Sequence, residues 1–270
     1  MDITNTDRTD AAWEKFQNKW LSEDLINPYD MDEQDFKTLG LYNPFHFEEM
    51  LYPYITTREG FLKDKELLSI ERPFAIPLDP SEKHIFYTGR IDKEIKDDKG
   101  RIYPIDHKTT TKGGKNGLSF QQSWMEQWSP NSQIDGYMFA SLLEHGRVDG
   151  AYIDGALVHR HQHDTFCLLP ILRQTEVMNY WLWHSRNTVD LIEKNVLELE
   201  KLRSSKKIYS LPYMPVFHCD GSSCWDRCKW RDLCKSTTNP EKTWPVEEDP
   251  PLGFELRNDE NNILNELGIE

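Results

Sequence analysis

Long hydrophobic runs are missing from this chain. No stretch of eighteen or more consecutive apolar residues occurs in its 270 residues, so a membrane-spanning helix is not expected. The N-terminus carries neither a basic-then-apolar leader nor a basic transit pattern, so no targeting segment is expected. Cysteine is scarce: there are five, none before Cys167, and four of them fall between Cys219 and Cys234. That distribution does not suit a disulfide-stapled scaffold. No internal repeat is evident, which excludes solenoids and propellers. The glycine cluster Gly113-Gly114-Lys115-Asn116-Gly117 lacks the Gly-Lys-Ser/Thr ending of a phosphate-binding P-loop.

Positive charge is also in short supply. The formal net charge is −14, which argues against nucleic acid as a partner until it is divided along the chain. Residues 1–52 hold twelve acidic and four basic residues, net −8, and residues 241–270 hold nine and two, net −7. The centre, 53–240, is therefore near neutral at +1. Basic clusters within it, Lys108 to Lys115 and Lys201 to Lys207, could track phosphates. The second also suits an ordinary solvated helix end. Aromatic residues, at 12% with nine tryptophans, mark a folded chain rather than a disordered one. The length fits one domain with extensions.

What is present is a pair of carboxylates on two β-rich segments. Tyr87-Thr-Gly-Arg-Ile-Asp92 is followed, fourteen residues after Asp92, by Asp106 in Ile105-Asp106-His107-Lys108. Residues two apart in a strand share a face, so Asp106 and Lys108 project together and His107 points away. Asp97-Asp98-Lys99-Gly100 is a turn signal between the segments, which predicts an antiparallel hairpin with Asp92 beside Asp106. Pro104 predicts an edge position or a bulge. Two hard oxygen ligands next to an ammonium suit a site holding Mg²⁺ against a phosphate. The lysine can steady a water and offset charge in the transition state.

Flanking segments extend the pattern. Leu67 to Leu78 reads as a further strand, whose Glu71 either reaches the same region or is an ordinary exposed residue. Pro130-Asn131-Ser132 is a helix start, followed by apolar spacing at Ile134, Tyr137, Met138 and Leu142. Gln133 and Tyr137 stand four residues apart and share a helix face. Residues 147–159 read as a strand and 173–201 as a long helix. His159-Arg-His-Gln-His163 is read as a hairpin end, because no carboxylate stands nearby at ligand spacing. Cys167, in an apolar run, is read as a buried small residue. The last residues, Ile263 to Glu270, suit a short amphipathic docking segment.

Taken in order, Gly-Arg-Ile-Asp92, Ile-Asp106-His-Lys108-Thr and Gln133-x-x-x-Tyr137 resemble the RecB-like branch of the PD-(D/E)xK nuclease superfamily, over roughly Glu71 to Cys234. That branch includes the AddB and RecB nuclease domains, CRISPR-associated RecB-type exonucleases and phage members. The resemblance implies an α/β fold, a restriction-endonuclease-like mixed sheet flanked by helices, with a cysteine-rich C-terminal lobe. It implies Asp92, Asp106, Lys108, Gln133 and Tyr137 as the nuclease site. Asp92, Asp106, the His107 backbone carbonyl and, as a further candidate, Glu71 would hold Mg²⁺ or Mn²⁺, and DNA is the partner. It implies a cytoplasmic place, in a bacterial cell or phage-infected host.

The cysteines carry the resemblance further. Four thiolates in sixteen residues, Cys219, Cys224, Cys228 and Cys234, suit a metal or an iron–sulfur cluster. The branch often holds a [4Fe–4S] cluster with one cysteine before the core and three near the C-terminus. Here the last three stand as C-x3-C-x5-C, and Cys219 takes the place of the absent early ligand; a four-thiolate Zn²⁺ site is the alternative. The family's N-terminal Cys-Pro-Arg-like element and Gly-x-x-His ligand are not matched: Asp10 to Trp20 looks like the helix after that point, and the first histidine, His46, stands in Asn43-Pro-Phe-His. The chain thus reads as beginning inside the family's pattern, with a partner chain supplying the missing piece or a recombination or replication protein joining it.

The expected organisation is a helical segment at 1–66, a nuclease core at 67–218, a cysteine motif at 219–235 and an acidic tail at 236–270. The expected function is metal-dependent DNA phosphodiester hydrolysis, exonuclease-like, in recombination, repair or phage DNA processing. The alternative is a catalytically inactive nuclease-fold subunit that binds DNA or assists assembly.

Overall fold

The computed structural model describes residues 4–23, 25–78, 85–114, 117–212, 237–239, 242 and 263–268. The helices α1 (Asn5–Ser22), α2 (Glu33–Leu39) and α3 (Pro44–Leu62) come first. They lead into β1 (Glu66–Pro77), β2 (Phe86–Lys96) and β3 (Ile102–Thr110). After the short α4 (Gln122–Glu126) and α5 (Ser132–His145) come β4 (Ala151–Leu157), β5 (Phe166–Ile171), the long α6 (Thr175–Ser204) and a terminal turn α7 (Ile263–Glu266). No described helix is long and apolar enough to cross a membrane.

The strands form one mixed sheet in sequence order, β1-β2-β3-β4-β5. Its pairs are antiparallel except β3 with β4, which run parallel. Parallel neighbours need a crossover connection, and α4 and α5 provide it. Asn131 caps α5 by accepting the N–H groups of Gln133 (3.0 Å) and Ile134 (3.3 Å), and Gly146 ends it at φ 69°. The β2–β3 turn closes where Asp97 and Gly100 anticipate it. The Asp97 carboxylate accepts the Lys99 and Arg101 N–H groups, and Gly100 takes φ 72°.

Pro104 requires a correction. β3 is a central strand, not an edge, yet β4 joins it only from Ile105 onward, while Pro104 faces Glu94 of β2. The missing N–H therefore costs no rung between β3 and β4. The strand read at 147–159 is shorter at both ends, preceded by Gly150 at φ 156°.

Each face of the sheet has its own cover. On one, Ile134 and Met138 of α5 pack on Ala151, Ile153 and Ile171 with Trp124, Trp128 and Met178. The same side continues through Phe74, Ile76, Ile91, Tyr137, Ala140 and Trp181. On the other, Ile95, Tyr103 and Ile105 meet Phe61 and Leu62 at the end of α3. The glycine of Gly-Arg-Ile-Asp belongs to this packing. A Cβ at Gly89 would stand 2.6 Å from the Phe74 ring, so a larger residue would push that ring out of the core.

Candidate active site

β2 and β3 are laddered from Lys96↔Ile102 to Lys93↔Ile105 and no further. Just beyond the last rung, Asp92 Oδ2 accepts the backbone N–H of His107 at 2.7 Å. The side chain thus takes a donor that a longer ladder would have used. Asp92 is flanked on β1 by the pairs Ile70↔Lys93 and Arg72↔Ile91, which sets Glu71 opposite it. Glu71 is exposed and has φ 50°, a conformation that a non-glycine residue holds at some cost in strain. Its carbonyl accepts Arg90 Nη1 at 2.9 Å.

Asp106 pairs with Ile153 and shares its α5-covered face, whereas His107 pairs with Asp154 on the α3-covered face. Strand parity therefore acts as the sequence predicts. Lys108 Nζ lies 2.9 Å from Asp106 Oδ1 and 2.8 Å from Oδ2. The approach to Oδ2 has no hydrogen-bond alignment, so this buried oxygen has no hydrogen-bond partner among the described residues. Burial raises the Asp106 carboxyl above the usual carboxylate range; Lys108 pulls it down and the nearby charge of Asp92 pushes it up again. Lys108 also sits 5.8 Å from the centre of the Trp128 ring, whose buried Nε1 likewise lacks a partner among the described residues. Trp128 carries no motif signal and escapes a reading by sequence.

Gln133 and Tyr137 meet as their spacing implies: Gln133 Nε2 donates to Tyr137 Oη at 2.9 Å. The phenol is pushed up to about 12, chiefly by burial and then by the negative charges of Asp106 and Asp92, with Gln133 opposing. Tyr137 is both core and neighbour of the carboxylates, for its ring meets Phe74 edge-on at 5.8 Å.

The opposite face carries a cluster that sequence reasoning missed. Asp154 Oδ1 accepts Arg58 Nε (3.0 Å) and Nη2 (2.7 Å), and Oδ2 accepts the Tyr54 hydroxyl (2.6 Å). Arg58 Nη2 also donates to the Cys167 carbonyl at 2.8 Å. His107 Nδ1 lies 3.5 Å from Asp154 Oδ2. Burial and the Lys93 charge lower the His107 imidazole below its ordinary value, which keeps it neutral near pH 7. A third buried carboxylate, Glu94, accepts from Arg72, Ser69 and Ser141 and lies 3.3 Å from His145 Nε2.

Other expectations resolve unevenly. Cys167 is a half-buried free thiol whose pKa burial raises. Residues 158–165 connect antiparallel β4 and β5 as a hairpin, and in it His163 Nδ1 lies 2.6 Å from Glu49. His46 lies in the first turn of α3, bonded through Nδ1 to the Leu41 carbonyl at 3.0 Å. The terminal turn α7 packs on β1 and β2, where Glu266 pairs with Arg90 of Gly-Arg-Ile-Asp. Cys219, Cys224, Cys228 and Cys234 lie outside the described residues.

The donor set can be tested against a divalent ion. Two carboxylates near enough to feel each other's charge, one of them buried with an oxygen that takes no hydrogen bond, suit a hard cation. Mg²⁺ in particular is commonly held by one or two carboxylates, with waters and substrate phosphate completing its shell. Among the described residues no group of three or more His, Cys, Asp or Glu side chains is placed to hold a metal. The protein's share of such a shell would thus be Asp92, Asp106 and main chain.

These features define a mixed α/β protein with two neighbouring carboxylates and a lysine within strands β2 and β3 of its sheet. No family model and no curated protein matches the chain.

Proposed function

We propose that this protein is a metal-dependent DNA nuclease, exonuclease-like, on a restriction-endonuclease-like core of the RecB type. The observation that carries the reading is the buried Asp106 carboxylate, held by Lys108 as its one close cation and with a second carboxylate, Asp92, nearby. Folding alone does not favour burying a carboxylate beside a second one with a single lysine to offset the charge. A site that receives a cation accounts for it.

Asp92 and Asp106 would hold Mg²⁺ or Mn²⁺, with the His107 carbonyl as a further donor and Glu71 across the β1–β2 pairing. When bound, the ion supplies Lewis-acid polarisation of a phosphoryl oxygen. Lys108 orients the attacking water with its ammonium and offsets the charge gathering on the phosphate. Gln133 supports Tyr137, and the phenol, protonated at every working pH, can donate toward the carboxylates or a DNA phosphate. The C-terminal cysteines fit this reading as a [4Fe–4S] or Zn²⁺ motif stabilising the lobe after the core. The processes served would be recombination, repair or phage DNA processing, with DNA, and a recombination or replication protein, as partners.

The test uses the full chain with end-labelled single- and double-stranded DNA in Mg²⁺ or Mn²⁺. Asp106→Asn and Lys108→Ala should each lower cleavage by about 10²–10³ or more, and EDTA should stop it. Full activity in either variant, or in EDTA, removes the mechanism. A second reading, a DNA-binding or assembly subunit without turnover, draws on the lack of a third ligating side chain among the described residues. DNA binding by a wild type that fails to cleave under every metal would select it.

A further inference from the structure

On the α3-covered face of the sheet lies a cavity of about 550 Å³, within the size range of small-ligand pockets. Helices α1 and α3 cover it, and β2, β3 and β4 form its floor. Its walls are aromatic: the Phe16 and Phe47 rings lie 4.5 Å apart, and Tyr54 meets Phe166 at 5.4 Å. Its floor is polar, built from Lys93, His107 and Asp154.

The charges there do not cancel locally. Asp154 is consumed by Arg58 and Tyr54. Lys93 Nζ makes no hydrogen bond and no ion pair with any described residue. An ammonium partly withdrawn from water without a partner is a standing acceptor for an anion. Aromatic walls around it suit a flat heterocycle, for every nucleobase has a face to stack.

The cavity lies on the other face of the sheet from Asp106, and its lining residues Lys93, His107 and Lys108 neighbour the two carboxylates along β2 and β3. Lys93 follows Asp92 directly, and Asp92 is bonded to the N–H of His107, whose residue lines the cavity. From this arrangement we infer that the cavity receives one unpaired terminal nucleotide of a single DNA strand, base among the aromatic walls and phosphate on Lys93. This rests on the nuclease reading and adds strand preference to it. A base still paired and stacked in a duplex cannot reach between the aromatic side chains that two helices hold over the sheet.

The experiment places 2-aminopurine at either end of a short oligodeoxynucleotide and titrates the full-length protein in EDTA, so that binding is read without cleavage. The single strand labelled at one end should be quenched at least about twofold on stacking, while the blunt duplex should not. Lys93→Ala should weaken binding about tenfold, with partial rescue in Lys93→Arg, because one phosphate contact is lost. Phe47→Ala should abolish the quench; because Phe47 also packs on Phe16 and Trp13, thermal unfolding of the variant checks that the fold is kept. Free deoxynucleoside monophosphate should compete. No quench at either end, quench of duplex equal to single strand, or variants that bind like the wild type each overturn the inference. Cleavage in Mg²⁺ by the same preparations separates the two claims. Cleavage without end quenching removes the pocket and leaves the nuclease, whereas quenching without cleavage removes the nuclease and leaves the pocket.

Discussion

Asp106 on β3 and Asp154 on β4 stand on adjacent rungs of one parallel ladder, on opposite faces of the sheet, and each has a cation beside it. Both are nearly inaccessible to solvent. Asp154 has both oxygens engaged, by a guanidinium and a phenol, and its arginine is further held by a carbonyl. Asp106 has one lysine across both oxygens, one oxygen without a hydrogen bond, and a second carboxylate nearby. A satisfied buried pair can be explained by packing; an unsatisfied one calls for something that arrives later. The contrast separates a structural carboxylate from a candidate catalytic one, although the two lie in neighbouring strands.

The largest effect should come from breaking the satisfied pair. Arg58→Met leaves Asp154 charged in the interior with the Tyr54 hydroxyl as its remaining close donor. Loss of one partner from a buried pair typically costs about 3–5 kcal/mol, so chemical denaturation should show a large drop in midpoint. A change within experimental error would mean that water reaches Asp154, and the comparison would fail.

Glu94 is a second satisfied carboxylate, fully buried, and it sharpens the comparison through pH. Burial alone would raise its pKa, but hydrogen bonds from Arg72, Ser141 and Ser69 outweigh this and bring it down to about 2 from 4.5. Its folded value is thus depressed. The stability it contributes is fully present above pH 4.5 and is lost as pH falls toward 2. The full contribution is about 3 kcal/mol. Unfolding free energy followed from pH 6 to pH 2.5 should fall less steeply in Glu94→Gln, which starts from a lower value. Parallel curves would show that Glu94 is not linked to acid unfolding.

Local signals made much of this legible. Alternating β-formers, an Asp-Asp-Lys-Gly turn and an Asn cap before an apolar helix are short-range features, and β1, β2, β3 and α5 follow them within a few residues. Asp106, Lys108, Gln133 and Tyr137 were legible because parity and helical spacing fix relative direction without any tertiary knowledge. Glu94 was not. Its partners come from Ser69 and Arg72 on β1 and Ser141 and His145 on α5, and only the crossover brings those elements together. The Arg58–Asp154 pair joins residues 96 apart in sequence, and the cavity exists because α1 and α3 fold across the sheet. Pro104 misled because an edge can be local: β3 has two neighbours but lacks β4 at its first residues.

The smallest effect should be the most telling. Asp106→Asn removes the charge that burial and Asp92 both disfavour, while its amide oxygen can still accept from Lys108. A carboxyl raised in the folded state contributes stability at low pH that is lost as pH rises through its folded value. At neutral pH the native Asp106 therefore carries a cost that asparagine does not. The variant should unfold at the same denaturant concentration as the wild type or slightly above it, a gain of no more than about 1 kcal/mol. A clear destabilisation would place Asp106 with Asp154 among the structural carboxylates. Unchanged stability together with lost cleavage would show that this carboxylate is kept for chemistry and not for the fold.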